Sequence, residues 1–162
     1  MEMKKFIVYH PGRCTGCKIC EMVCSFTNEQ EFNSQRARIR NVGLLNEALF
    51  ISFTCMQCAD PPCVSVCPSA ALVREDGIVR IDSQRCFGCK LCILLCPLGA
   101  IHFDDQNGLA FKCELCGGDP QCVAYCPTGA VQYEEVESAN IDKQENLLWH
   151  IKEVYMSSKS EG

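Results

Sequence analysis

The sequence predicts an α+β fold in which short hairpins and short helices are gathered around cysteine-rich loops. Three observations predict it. Sixteen cysteines occur in 162 residues, and all fall into four groups of four. The segments between groups are rich in β-branched and large apolar residues with glycine-containing turns, so the chain repeats one unit: loop, short helix carrying the last cysteines, strand. The apolar share of 48% includes those cysteines, which leaves a lean core that needs staples, either disulfides or metal.

Taken in order, Lys4 to Tyr9 reads as a strand that delivers the chain to the first group, Cys14, Cys17, Cys20 and Cys24. Gly16 in that loop lets backbone approach a sulfur and donate an N–H. Ser25 stands where the other groups have proline, so the geometry after Cys24 is expected to differ. Arg36 to Val42 and Ala48 to Phe53 read as a hairpin with Gly43 and Asn46 in its connection. Arg36, Arg38 and Arg40 would line one solvated face of it. The second group is Cys55, Cys58, Cys63 and Cys67, widened by Asp60-Pro61-Pro62, whose prolines stiffen the loop and supply no N–H.

Ala71 to Arg74 and Ile78 to Ile81 flank Glu75-Asp76-Gly77, a strong hairpin signal. The third group, Cys86, Cys89, Cys92 and Cys96, repeats the first position by position: Arg85 for Arg13, Gly88 for Gly16, Lys90 for Lys18. Ala100 to Phe103 and Leu109 to Phe111 make a further hairpin around Asp104 to Gly108. It leads to the fourth group, Cys113, Cys116, Cys122 and Cys126, and then to a last strand, Val131 to Tyr133. Beyond it, Asp142 and Glu145 form a capping-box variant. Leu147, Leu148, Ile151, Val154 and Tyr155 then share one face of a helix ending near Met156, before a frayed tail.

The spacing decides the chemistry. In C-x2-C-x2-C-x3-C-P, as from Cys86 to Pro97, three close cysteines wrap three corners of a cubic iron–sulfur cluster, and the fourth ligates a second cluster. Disulfides are the weaker account, since a reducing compartment keeps thiols apart. Zinc favours two separated pairs or histidines, and only His10, His102 and His150 exist, all read as ordinary core or surface residues. Four [4Fe-4S] clusters would consume every cysteine and leave no spare nucleophile. No Ser/His/Asp constellation, dinucleotide fingerprint or phosphate loop is present. The chain reads as one that moves electrons and does not catalyse by itself.

The formal charge is −5. An oxidised cluster with its thiolates carries roughly −2, which takes the loaded chain to about −13. Such a surface disfavours nucleic acid and favours basic docking patches. Arg13, Lys18, Arg85 and Lys90 flank the loops and are read as solvated. No apolar run nears the ~18 residues of a membrane span, and the start lacks a signal core, so the expected setting is the cytoplasm.

These four ordered motifs, from about Lys4 to Glu135, resemble the four-cluster iron–sulfur subunits of molybdenum and tungsten pterin oxidoreductases, the dimethyl-sulfoxide-reductase beta-subunit type. The resemblance implies two ferredoxin-like modules, one inserted in the other. Residues 1–54 and 98–136 would form the outer module, 55–97 the inserted one, and 137–162 a C-terminal helix and tail. It implies Cys14, Cys17, Cys20 and Cys126 on one cluster, and Cys113, Cys116, Cys122 and Cys24 on its mate. In the inserted module Cys55, Cys58, Cys63 and Cys96 would hold one cluster, and Cys86, Cys89, Cys92 and Cys67 the other. The residues themselves leave open the pairing of first group with second and third with fourth.

The compact Cys-Glu-Leu-Cys-Gly-Gly-Asp-Pro loop looks most like the small subunits of soluble enzymes, tungsten aldehyde oxidoreductases foremost. The implied partner is a large catalytic subunit with a tungsten or molybdenum pterin cofactor, with a flavin-containing subunit or a soluble ferredoxin beside it. A freely diffusing polyferredoxin and a filament-forming electron-conducting scaffold are the alternative roles.

Overall fold

Turn chemistry and β-branched runs produce four separate two-stranded antiparallel ladders in the computed structural model, which describes residues 5–135 apart from 45 and 47. The C-terminal helix expected around Leu147 lies outside the described residues. Strands β2 (Arg40–Leu44) and β3 (Leu49–Phe53) form one hairpin, β4 (Leu72–Glu75) and β5 (Ile78–Ile81) the next, and β6 (Ile101–Asp104) and β7 (Leu109–Lys112) a third. At the β4–β5 turn Asp76 and Gly77 both take positive φ, 49° and 82°, the pair of left-handed residues whose twist matches that of the strands. The remaining ladder is not a hairpin. It joins β1 (Lys5–Tyr9) to β8 (Val131–Glu135), with Lys5 opposite Glu135 and Tyr9 opposite Val131.

Four helices carry cysteines: α1 (Ile19–Glu29), α2 (Pro62–Ser65), α3 (Leu91–Leu95) and α4 (Gln121–Ala124). The last three hold only the third cysteine of their group, and the fourth lies just past the helix end. The expectation of the last cysteines sharing a helix holds for α1 alone, for a physical reason. Pro68, Pro97 and Pro127 push the cysteine before them out of the helical region, as at Cys96 with ψ 114°. Ser25 imposes no such limit, and α1 runs on. Its hydroxyl donates to the Met22 carbonyl at 2.9 Å and accepts the Asn33 N–H at 3.1 Å.

The first hairpin starts later than predicted. Residues Ser34–Arg36 form a 3-10 turn whose cap, the Asn33 carboxamide, accepts the Gln35 N–H at 3.0 Å. Further on, the Arg38 N–H goes to Cys24 Sγ at 3.2 Å, while its carbonyl accepts the Thr54 hydroxyl at 3.1 Å. With those groups engaged, Arg36 to Ile39 have no ladder to join.

Two apolar clusters form. One gathers Cys20, Cys24, Ala37, Ile39, Cys122 and Val131; the other gathers Cys63, Leu72, Val79, Cys92, Ile101 and Ala110. Helix α1 packs on α4, and α2 on α3. Six of the buried apolar residues are cysteines and five are alanines. A fully buried large aliphatic side chain is worth about 1.5–3 kcal/mol, and few are present, so much of the stabilisation falls to whatever the cysteines hold.

The predicted solvated arginine face is instead a bridging network. Arg36 pairs with Asp104 at 2.7 Å and with Glu29 at 3.8 Å, and Arg38 reaches Glu29 at 3.6 Å. Arg40 donates to the carbonyls of Ser34 and Gln35. The Arg36 guanidinium first, then the Asn107 amide and Gln106 N–H, hold the Asp104 carboxyl down at about 2 against its burial. Its contribution is therefore complete above the ordinary carboxylate value of 3.8 and is lost as pH falls through about 2. At neutral pH, Arg36→Met and Asp104→Asn should each lower the thermal midpoint by a few degrees. The double variant should lose less than the sum, as a thermal-melt cycle would show; additive losses would mean the two do not act together.

Candidate functional site

Three cavities are each lined by four cysteines drawn from two groups. Cys55, Cys58, Cys63 and Cys96 surround one, with Pro61, Pro62, Val79 and Ile101. Cys67, Cys86, Cys89 and Cys92 surround another. The third holds Cys24, Cys113, Cys116 and Cys122. The remaining four, Cys14, Cys17, Cys20 and Cys126, do not line any of these three. Cys126 packs against the apolar cluster that contains Cys20. Among the described residues no three Cys, His, Asp or Glu side chains lie close enough to share a single metal ion. Each of the three cavity-lining sets thus surrounds a space wider than a zinc site, whose sulfurs sit about 2.3 Å from one ion.

Donors converge on the sulfurs. Gly16 takes φ +70° and aims its N–H at Cys14 Sγ, 3.4 Å away. Leu115 does the same for Cys113 at 3.4 Å, and Ala100 for Cys96 at 3.3 Å. Side-chain amides add to this: Asn41 reaches Cys14 Sγ at 3.5 Å and Asn28 reaches Cys24 Sγ at 3.7 Å. The Ser69 hydroxyl lies 3.5 Å from Cys67 Sγ and the Thr128 hydroxyl 3.8 Å from Cys126 Sγ. Sequence reasoning missed these four side chains. The two hydroxyls had a signal, since Cys-Pro-Ser and Cys-Pro-Thr place them at matching positions.

Burial pushes the Cys20, Cys24 and Cys92 thiols up to about 11, and raises Cys122 as well. Burial also acts on Cys67 and Cys126, but there it is outweighed. The Ser69 hydroxyl and the Leu72 and Ala71 N–H groups draw Cys67 below the ordinary thiol value, and the Val131 N–H and Thr128 hydroxyl do the same for Cys126. Buried thiols with N–H donors aimed at sulfur are poor nucleophiles and good ligands for a cation that deprotonates them outright.

Two family models, each described as a 4Fe-4S dicluster domain, match residues 46–136 and 13–72. The chain belongs to the 4Fe-4S dicluster family. Among its relatives, the putative electron transport protein YsaA of Escherichia coli is 34% identical over 70% of this chain and 77% of its own length. The thiosulfate reductase electron transfer subunit PhsB of Salmonella typhi is 36% identical over 69% of this chain, which spans 62% of that protein. Formate hydrogenlyase subunit 2 of Escherichia coli is 38% identical over 66% of this chain and 52% of its length. Among solved structures, the BamBC complex of benzoyl coenzyme A reductase with 1,5-dienoyl-CoA matches 83% of this chain and 78% of its own. Its TM-score is 0.50 at 22% identity, a likeness of fold alone.

Four [4Fe-4S] clusters suit the donors of this dicluster protein: twelve of its sixteen cysteine sulfurs line three cavities in sets of four, and N–H or O–H groups meet sulfurs in those sets and in the remaining four. A bound cluster takes up and returns one electron, at a potential set by hydrogen bonds to sulfur, nearby charge and exposure. The dicluster protein transfers electrons. His10 lies 3.9 Å from Glu134, and the His102 ring lies tilted against Phe111, 5.4 Å between centroids; neither lines the three cavities. The loop cations Arg13, Lys18, Arg85 and Lys90 are all exposed, as the sequence led one to expect. Arg85 pairs with Asp82 at 3.3 Å, and Lys90 pairs with Asp105 at 3.7 Å while its Nζ stands 3.8 Å over the Phe103 ring.

Proposed function

We propose that this dicluster protein is the electron-transfer subunit of a cytoplasmic tungsten- or molybdenum-pterin oxidoreductase, of the aldehyde oxidoreductase type, and that its large partner carries out the catalysis. The observation that carries the subunit reading is the surface around the third group. Cys89 is exposed, and beside it stand Phe87 at 66% and Leu94 at 78% exposure, with Leu91, Leu95 and Leu98 also exposed. Such an apolar rim suits a covered protein contact more than a freely diffusing carrier. Cys17, its counterpart in the first group, is also exposed, which gives a chain of centres an opening at a second point. The cysteine spacing and the short fourth loop favour the aldehyde oxidoreductase type, and the relatives named as electron-transfer subunits favour a partnered role. Among the described residues no helix is long and apolar enough to cross a membrane.

The ligand sets we assign are Cys55, Cys58, Cys63 and Cys96; Cys86, Cys89, Cys92 and Cys67; Cys113, Cys116, Cys122 and Cys24; and Cys14, Cys17, Cys20 and Cys126. The three cavities support the first three, and the packing of Cys126 against the cluster of Cys20 supports the fourth. Two modules, one inserted in the other, accord with the two apolar clusters, the α1–α4 and α2–α3 packing and the β1–β8 ladder. Because Ile101 and Ala110 belong to the middle cluster, we place the border after Lys112 and not at 97/98. The test is anaerobic pull-down of the tagged chain from its native cells with metal analysis. A stoichiometric large subunit with tungsten or molybdenum supports the reading. Iron alone on a monomer overturns it in favour of a free polyferredoxin, and concentration-dependent oligomers would favour a filament.

A further inference from the structure

Lys112 is the last residue of β7 and is 1% exposed; Gln57, between Cys55 and Cys58, is 2% exposed. Both side chains meet at one backbone oxygen. Lys112 Nζ donates to the Cys113 carbonyl at 2.7 Å, and Gln57 Nε2 donates to the same oxygen at 3.0 Å. Gln57 Oε1 in turn accepts the Val79 N–H at 2.9 Å. In the β6–β7 ladder Lys112 stands opposite Ile101, and opposite residues of an antiparallel pair share a face. Ile101 and Val79 both line the cavity of Cys55, Cys58, Cys63 and Cys96. Cys113 lines the cavity it shares with Cys24, Cys116 and Cys122. The Lys112–Gln57 joint is thus wedged between two of the cysteine sets, one from each apolar half of the molecule.

Among the described residues Lys112 has no carboxylate partner. A buried ammonium without a counter-charge is strongly disfavoured, so negative charge must reach it from elsewhere. The cysteine sets whose cavities flank the joint can supply it as thiolates.

We propose that Lys112 is the buried counter-charge of the two cysteine sets that meet at this joint, and that it raises the reduction potential of both relative to the other two. Gln57 is a positioning residue that fixes the ammonium against Cys113. When one electron passes between these centres, one is oxidised and the other reduced by that electron, and the fixed cation stabilises the more negative, reduced form of each. No proton transfer is required. This proposal rests on the ligand assignment above.

The experiment is an anaerobic potentiometric titration of the full chain, followed by electron paramagnetic resonance, with iron counted in the same samples. Lys112→Gln and Lys112→Met should each lower two of the four midpoints. At a fixed ambient potential the reduced-to-oxidised ratio of those centres should fall about tenfold, which is 59 mV for one electron. Lys112→Arg should restore them, and the other two midpoints should not move. Gln57→Glu, which places a carboxylate against Lys112, should shift the same two downward. If fully loaded Lys112→Gln leaves all four midpoints at wild-type values, or moves all four equally, the proposal is overturned. Should neither neutral variant load, unchanged midpoints in loaded Gln57→Glu overturn it as well. A wild-type chain with fewer than four clusters would instead overturn the ligand assignment, and this proposal with it.

Discussion

Cys126→Ala is expected to strip the protein of one cluster in four, so that its iron content falls by about a quarter, and the lost signal should be the one that disappears in Cys14→Ala. Cys126 follows α4, which packs on α1, and its sulfur is met by the Thr128 hydroxyl and the Val131 N–H. The other members of the fourth group line a cavity with Cys24. The reciprocal variant, Cys113→Ala, should lose a different signal and leave the Cys14 one in place. Iron analysis and electron paramagnetic resonance of the three variants decide the matter. Loss of the Cys113 signal in Cys126→Ala, with the Cys14 signal intact, would refute the assignment.

Gly88→Ala should be more damaging than Gly16→Ala or Gly117→Ala. Gly88 takes φ +74°, and a Cβ there would stand 2.4 Å from the Gly108 carbonyl oxygen, which is backbone and cannot swing aside. Left-handed strain costs about 1–3 kcal/mol and overpacking about 1–3 more, together a large part of the 5–15 kcal/mol that holds a typical domain. Gly117→Ala is the control, since φ is +71° there but nothing lies within 4 Å, so only the strain applies. Gly16→Ala should fall between them, because its close neighbour is the Phe50 ring, a side chain that can rotate. Thermal melts and iron counts of the three variants should rank Gly88→Ala worst, with the Cys86, Cys89 and Cys92 loop the first to lose metal. Equal effects for Gly88→Ala and Gly117→Ala would show that the contact with Gly108 is not rigid.

The features legible in the sequence were those written locally. Each cysteine group, the Asp76-Gly77 turn and the loop from Asp104 to Gly108 are encoded in short runs of neighbouring residues, and the hairpins appear where that chemistry puts them. Ser25 in place of proline announced a different exit from the first group, and α1 duly runs on. Features that depend on distant partners were illegible. Arg36 and Arg38 look like surface charge until Glu29 and Asp104 arrive beside them, and nothing near Arg38 says that its N–H belongs to Cys24. Lys112 is of a residue type that is almost never buried. Its one clue is the alternation along β7, which puts it on the inward face with Ala110.

The β1–β8 ladder ties together the two ends of the described chain, and this constrains the order of assembly. Closing a loop costs entropy that grows with the logarithm of its length, and this ladder closes the longest one available. Helices α2 and α3 and the hairpins β4–β5 and β6–β7 lie wholly within that loop and make their contacts at short range. Once they have condensed, the span left to close is shorter and stiffer than the bare chain. The middle of the molecule is thus the natural first piece to fold and take up metal, and strands β1 and β8 close over it last, like a clasp fastened on a finished string.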